Sequence, residues 1–391
     1  MTADQTKSRE LKLAFTLSAV IAFRMLGLFL ILPVFMILAQ EMPGFTPQLG
    51  GLAVGIYGLT QAILQQPFGW LSDRWGRKPV LLLGLCLFAV GGVVAALADS
   101  MPSLIAGRAL QGCGAIAGVA MAFAADFTRP ERRSVSMAII GLGIGGAFLL
   151  SMMISVPLAT VLGLKGLFWL TALLGVAGML MILTISHSTA VQDEPEPGGD
   201  VDMGPVWMLA ISVFLLHAVM TLLFVVLPLL LVGKYSFMLG EHWKIYVPTM
   251  IVSIVIMFPI LRKVGKSLSE HRLLPAAFLV LAGSMGLLAM DFPIAGVGFL
   301  LMVYFLGFNL LEATMPSLLS RIVGSRGRGR RMGVYSTFQF LGAFAGGVLG
   351  GGLLGWLGSG FTLLIAAAAC LIWGIVLKAL SKRFFLTSPA H

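Results

Sequence analysis

Four ionisable side chains lie deep inside long apolar stretches of the chain: Arg24, Arg108, His217 and Glu312. At the centre of a membrane-spanning helix such a group costs about 2.5–3.5 kcal/mol, so each one needs an explanation. Glu312 and His217 can take up and release a proton, whereas the two arginines stay charged and can bind an anion or tune a nearby acid. The set predicts proton exchange or anion binding in an embedded polar site.

A structural explanation is also open for these residues. Buried ion pairs, such as one between Arg24 and Glu312, can hold helices together without any further role. A histidine in an apolar helix, such as His217, is often simply hydrogen-bonded to its neighbours. Three polar side chains in other apolar stretches either extend the embedded site or join helices by hydrogen bonds: Gln61, Asn309 and Gln339.

A second cluster, GWLSDRWGRK at 69–78, gathers four charges in a chain of which only 11% of residues are charged. Gly69 leaves room for another helix to approach, and Asp73, one turn later, can cap the N-terminus of a neighbouring helix. Arg77 needs an acid at the same membrane depth, and Asp126 is the only one that ends another first-half span on that side. Two further bases fit simple anchoring at the membrane surface: Arg74 and Lys78.

The composition indicates which elements position these residues. Hydrophobic residues make up 58% of the 391 positions and the mean hydropathy is +0.99, which excludes a soluble globular protein. Apolar stretches of about 20 residues predict an all-α polytopic membrane protein with twelve transmembrane helices. The predicted spans are 12–39, 47–71, 79–98, 102–126, 134–162, 166–186, 205–232, 243–262, 272–290, 294–320, 332–357 and 360–380.

The distribution of lysine and arginine predicts the orientation. Of 26 such residues, all but five lie on the side that holds the N-terminus; the exceptions are Lys165, Lys234 and Lys244 on the other side and two arginines within spans. The positive-inside rule therefore places both termini and the loop between spans six and seven in the cytoplasm. The net charge of +10 serves insertion, and nucleic-acid binding is not expected. The first apolar run is too long for a signal peptide, so we expect an uncleaved first span.

The chain divides into two related halves, 1–186 and 205–391. The polar segment HSTAVQDEPEPGGDVDMG at 187–204 reads as a cytoplasmic linker, and FLILP at 29–33 in span one is echoed by FVVLP at 224–228 in span seven. The four embedded ionisable residues belong to spans one, four, seven and ten. A three-helix repeat used four times would place equivalent helices there, around a central polar cavity.

The loop between spans two and three resembles the signature of the major facilitator superfamily. The matching residues are Gly69, Asp73, Arg74, Gly76, Arg77 and Lys78. GRALQGCGAIAG at 107–118, which includes Arg108, is similar to a second motif of that family. With FRMLGLFLILP, FNLLEATMPSLLSR and GVYSTFQFLG, nearly the whole chain resembles the YajR-type branch of its drug:proton antiporters.

This resemblance implies a fold of two six-helix halves and a set of roles. Asp73 would meet the start of span eleven, near 331–333, when the protein faces outward, and Arg77 would pair with Asp126. The loop would then be a latch that is made in one state and broken in the other. Glu312 would be the main proton carrier, tuned by two further residues, with Arg108 aiding coupling. The tuning residues would be His217 and Arg24.

Two features depart from the resemblance. The antiporter motif of span five normally ends in Gly-Pro, whereas this chain has Val156 before Pro157, which weakens the case for proton antiport. YajR-type members also carry a soluble C-terminal domain. Because the sequence ends in SKRFFLTSPAH, regulation through such a domain is not expected.

The sequence favours a secondary active transporter that exports small apolar or cationic compounds in exchange for protons. The alternative is a uniporter or proton-linked importer of an organic anion, since three embedded groups are or can be cationic. An enzyme or ATP-driven pump is disfavoured because GxxxxGK[ST] and H-E-x-x-H are absent, and a receptor would move no solute.

The three cysteines lie in apolar segments without metal or disulfide spacing, so we expect no metal, no cofactor and no catalytic residues. We expect a monomer in the lipid bilayer.

Overall fold

Helices make up nearly all of the computed structural model, which describes residues 3–185, 203–264, 268–323 and 328–385. Because a bilayer core offers no water to unpaired backbone groups, a chain this apolar satisfies them within helices. The helices are α1 (Ala3–Ile31), α2 (Phe35–Leu38), α3 (Pro47–Trp75), α4 (Arg77–Ala96), α5 (Met101–Gly112), α6 (Ala117–Asp126), α7 (Pro130–Leu183), α8 (Met203–Tyr235), α9 (Trp243–Leu261), α10 (Glu270–Leu288), α11 (Ile294–Val323) and α12 (Arg328–Phe385).

Nine stretches of the described residues are long and apolar enough to span a membrane. Two of them hold two spans each, because α7 breaks at Gly163 and α12 breaks at Gly358, where φ is +62° and +76°. The remaining span is α3, which has 29 residues but carries several glutamines. Together they account for the twelve predicted transmembrane helices and confirm the all-α polytopic fold.

Two predicted spans are not continuous helices. Span one, predicted as 12–39, ends as α1 at Ile31 and resumes in α2 after a turn that contains Pro33, which has no N–H to donate. Span four, predicted as 102–126, is divided into α5 and α6 by residues 113–116. There Gly114 lies against α4, and a Cβ added to it would stand 2.4 Å from the carbonyl oxygen of Gly84.

The helices form two compact units. Unit 1 comprises Met1–Phe45 and Ile56–Glu196, and unit 2 comprises Thr46–Gly55 and Pro197–His391. The first turns of α3 thus pack within unit 2, where a Cβ at Gly51 would stand 2.2 Å from the carbonyl oxygen of Gly347. Apart from residues 203 and 204, the predicted linker 187–204 lies outside the described residues.

In unit 2, α8 crosses the first arm of α12 at short range. Gly342 and Gly346 face the backbone of α8, and a Cβ at Gly346 would stand 2.0 Å from the carbonyl oxygen of Ala218. Small residues permit such crossings, which in lipid gain van der Waals contact rather than hydrophobic burial. The crossing brings Gln339 of α12 next to His217 of α8.

Candidate functional site

Three helices of unit 2 bring His217, Gln339 and Glu312 together. The amide nitrogen of Gln339 lies 2.8 Å from Nε2 of His217, and Nδ1 of the same ring lies 3.1 Å from the carbonyl oxygen of Val213. If the amide donates to Nε2, the ring is neutral and its proton is on Nδ1, donated to Val213. The one acceptor nitrogen of the ring, Nε2, then accepts from Gln339 of α12.

Glu312 completes this cluster from α11. Its Oε1 accepts a hydrogen bond of 3.4 Å from Gln339, and its Oε2 lies 3.7 Å from Nε2 of His217. Oε2 is buried and has no hydrogen-bond partner among the described residues, although the side chain as a whole is 37% exposed. The carboxylate therefore has an open acceptor position beside an imidazole, which is an arrangement that can hold a proton.

Asn309 and Tyr335 lie one turn away from this cluster on their helices. Asn309 does not join Glu312; its amide donates to Oγ of Ser253 at 3.1 Å and so links α11 to α9. Tyr335 precedes Gln339 by one turn of α12, is buried, and has a hydroxyl without a partner among the described residues. Sequence reasoning missed Tyr335, although its spacing of four from Gln339 places both on one helix face.

Unit 1 holds a second polar cluster, around Tyr57 of α3. Arg24 of α1, which is 1% exposed, donates through Nη2 to Oε1 of Gln61, and Nε2 of Gln61 lies 3.4 Å from Oε1 of Gln65. The guanidinium carbons of Arg24 and Arg108 lie 5.5 and 5.0 Å from the centre of the Tyr57 ring. Two cations are therefore held beside one aromatic ring.

Arg108 is anchored by a chain of hydrogen bonds within unit 1. Its Nη1 donates to Oε1 of Gln111 at 2.9 Å, and the amide of Gln111 donates to Oγ1 of Thr171 at 2.9 Å. The four embedded ionisable residues are thus divided between the units, two in each. The hydrogen bonds described for Arg24 and Glu312 are each to a residue of the same unit, namely Gln61 and Gln339.

The charged loop forms a compact ion-pair cluster in unit 1. Arg77, the first residue of α4, donates through Nε to Oδ2 of Asp126 at 2.7 Å and through Nη1 to Oγ of Ser72 at 2.6 Å. It also pairs with Asp73, one helical turn before it. The cluster joins the ends of α3 and α6 to the start of α4. Ser72 was not expected from the sequence.

The two neighbouring bases of the loop have different surroundings. Lys78 donates to the carbonyl oxygens of Leu183 and Ile185 at 3.2 and 2.7 Å, where it satisfies the end of α7. The guanidinium carbon of Arg74 lies 4.1 Å from the centre of the Trp70 ring. Membrane anchoring alone therefore does not explain Lys78.

The predicted contact of this loop with the start of span eleven stays a prediction. Asp73 has a side chain that is 63% exposed. No described atom lies within 4 Å of the place where a Cβ of Gly69 would stand.

Gly76 separates α3 from α4 with a φ of +91° and a ψ of 155°, a backbone region open essentially to glycine alone. We expect Gly76→Ala to lower the free energy of unfolding by about 1–3 kcal/mol. Gly69→Ala, in the helix just before, is the matched control and is expected to leave stability unchanged or slightly raised. Thermal unfolding of the purified protein in detergent measures both, and equal losses in the two variants would contradict the expectation.

Comparison with known proteins places this geometry in a family. Residues 17–323 match the Major Facilitator Superfamily. The chain belongs to this superfamily. It is 36% identical over 383 residues to the inner membrane transport protein YajR of Escherichia coli, with 95% of this chain and 84% of YajR covered.

Two further matches agree with this assignment. The multidrug resistance protein MdtH of Aeromonas salmonicida is 26% identical over 344 residues, with 84% of each chain covered. A solved bacterial homologue of the human lysosomal transporter Spinster shares the fold, with a TM-score of 0.77 at 15% identity over 96% of this chain and 98% of that one. This superfamily member is therefore a bacterial inner membrane transporter of small molecules and not an enzyme.

Proposed function

We propose that this superfamily member is a proton-coupled secondary transporter that exports small apolar compounds, neutral or cationic, in exchange for protons. The observation that supports this most is the Glu312 cluster of unit 2. A carboxylate with an oxygen that accepts no described hydrogen bond lies beside an imidazole and an amide, well inside an apolar helix. Intramembrane acids of this kind are costly and mark proton pathways.

The proposed proton site works through the distances between its members. A proton that reaches this pair can be held by Oε2 of Glu312 or, once the amide of Gln339 turns its oxygen toward the ring, by Nε2 of His217, 3.7 Å from that Oε2. The roles expected for the unit 1 arginines, tuning by Arg24 and aid to coupling by Arg108, are part of the same proposal. Proton binding thereby changes the charge of the embedded site, which is what coupling requires.

The proposed conformational device is the Arg77 ion-pair cluster. Two six-helix halves, 1–186 and 205–391, would rock about the substrate, with the termini and the linker 187–204 in the cytoplasm. Arg77, Asp73 and Asp126 would hold the loop in the shape needed by one of the two states. The protein would act as a monomer.

We expect Asp126→Asn to change the transport rate about tenfold, because a charge-assisted hydrogen bond lost in one state shifts the equilibrium between states by that amount. The double variant Arg77→Asp with Asp126→Arg re-forms an ion pair and is expected to restore part of the rate. Solute flux in proteoliposomes measures both. Asp99→Asn removes an exposed pair with Lys165 and is the control. A normal rate in Asp126→Asn, alongside a Glu312→Gln variant that is inactive, would exclude the latch.

A second candidate function is supported by unit 1. Arg24 is buried, and its Nε and Nη1 have no hydrogen-bond partner among the described residues. Such donors favour an organic anion as substrate, moved by uniport or by proton-linked import.

A compound panel distinguishes the candidates. Proteoliposomes with an imposed pH gradient and an internal pH dye would receive neutral, cationic and anionic aromatic compounds in turn. Gradient collapse by neutral or cationic compounds, absent in protein-free liposomes, supports the proposed antiport. Compound entry without proton movement supports uniport, and no entry of any compound would contradict both candidates.

A further inference from the structure

We infer that Arg24, Tyr57 and Gln61 form a binding subsite for the single acidic group of an organic anion. This inference rests on the second candidate function, transport of an organic anion, and it names the residues that would bind the acidic group of that compound. Three buried hydrogen-bond donors support this inference. Nε and Nη1 of Arg24 and the hydroxyl of Tyr57 have no partners among the described residues.

Arg24 is held in place but not neutralised. Gln61 accepts from one of its five N–H donors, and the bond from Gln61 to Gln65 at 3.4 Å fixes the direction of that amide. The Tyr57 ring adds a cation–π contact at 5.5 Å. Among the ion pairs of the described residues, none includes Arg24. The buried guanidinium therefore has no compensating acid among the described ion pairs.

The acids in the described ion pairs of unit 1 do not neutralise Arg24. Among these acids, Asp73 and Asp126 lie near helix ends and Asp99 lies between α4 and α5. Glu10 lies in α1 itself, about 21 Å along the helix axis from Arg24, and pairs with Arg129. An uncompensated buried charge is strongly unfavourable, and a ligand of opposite charge relieves it.

Tyr57 extends the subsite with a second kind of donor. The residue is 2% exposed and its ring lies close to both Arg24 and Arg108, so its hydroxyl could donate to the anion that the guanidinium would bind. Tyr57, Gln61 and Gln65 follow one another at intervals of four on α3 and so share one helix face. An anion there would also reduce the repulsion between the two arginines.

The ligand class follows from the surroundings. One guanidinium and one hydroxyl suit a single carboxylate or sulfonate, and the apolar helices around them suit an aromatic or aliphatic body. Because the subsite is closed in the structure, the ligand would reach it in the open state that alternating access provides.

Equilibrium binding to the purified protein in detergent tests this inference without requiring transport. The probes are radiolabelled naphthalene-2-sulfonate, which is always anionic, and naphthalene-2-sulfonamide, which has nearly the same shape without the charge. We expect the sulfonate to bind more tightly than the sulfonamide. Arg24→Gln should weaken sulfonate binding by about 10- to 100-fold and leave sulfonamide binding roughly unchanged. Arg262→Gln, at the exposed end of α9, is the matched control.

Tyr57→Phe is a second variant that tests the same subsite if the Arg24→Gln protein does not fold. It keeps the ring beside both guanidinium groups and removes only a hydroxyl that has no described partner, so stability is expected to be unchanged or raised. Sulfonate binding should fall about tenfold. Equal binding of the two probes, or sulfonate binding that survives in both variants, would overturn the subsite. Selective sulfonate binding without sulfonate flux would instead uphold the subsite and reject transport of an organic anion.

Discussion

Glu312→Gln is expected to reduce compound-driven proton flux by about 100-fold or more, the usual effect of losing a positioned proton-transfer group. Glutamine fills the same volume and can still bond to Gln339, which now contacts Oε1 at 3.4 Å. It has no titrating group, so the proton shared with His217 has no acceptor of negative charge. The loss should therefore appear in coupling and not in folding.

The control for this variant is Glu241→Gln, which removes an acid that pairs with Lys244 at 2.9 Å outside the embedded site. Its flux is expected to match that of the wild type. His217→Gln is the informative second variant, because it keeps a hydrogen-bonding side chain but no longer shares a proton. A Glu312→Gln protein with normal proton flux would remove Glu312 from the mechanism.

Gly346→Ala is expected to lower the free energy of unfolding by about 3 kcal/mol or more, at the upper end of overpacking effects. A Cβ there would stand 2.0 Å from the carbonyl oxygen of Ala218, which is backbone and cannot rotate away. Either α8 or the first arm of α12 must shift, and the shift would also separate Gln339 from His217. Thermal unfolding in detergent and folded yield both report this change.

The matched control lies six residues later on the same helix. A Cβ at Gly352 would meet no described atom within 4 Å, so Gly352→Ala is expected to be neutral or slightly stabilising. The two variants make the same chemical change in the same arm of α12. If both lost stability equally, the close contact with the Ala218 carbonyl would not be the cause of the loss.

The number and kind of the helices could be predicted because hydropathy is a local property of the sequence. The breaks within predicted spans one and four were harder to predict from the sequence. Pro33 carries a local signal for the end of α1, but the break at 113–116 depends on contact between Gly114 and Gly84 of another helix. A contact between two helices of that kind produces no periodic pattern in the sequence.

Glycine spacing shows the same limit. Gly342 and Gly346 have GxxxG spacing and lie at a close crossing, whereas Gly141 and Gly145 have the same spacing and would meet no described atom within 4 Å with an added Cβ. The spacing defines a smooth helix face. It does not determine whether another helix packs on that face.

For the candidate site, the cost of burying polar groups identified the individual residues but not their partners. Glu312, His217 and Gln339 were each conspicuous, yet their grouping depends on the crossing of α8 with α12. For Asn309 the sequence left a cavity contact and a helix-to-helix hydrogen bond open, and the structure has it bonded to Ser253 of α9. Tyr335 escaped attention because an aromatic residue in an apolar helix needs no special explanation.

The most direct test of proton-coupled export is uphill transport under pH gradients of both polarities. Wild-type proteoliposomes would be loaded to equal concentrations inside and outside with a compound identified by the panel. Protons run from the acidic to the alkaline side, so antiport predicts accumulation of the compound on the acidic side, reversed when the gradient is reversed and lost in Glu312→Gln. Protein-free liposomes correct for passive partition. Accumulation on the alkaline side would show proton-linked import instead, and an even distribution would contradict coupling altogether.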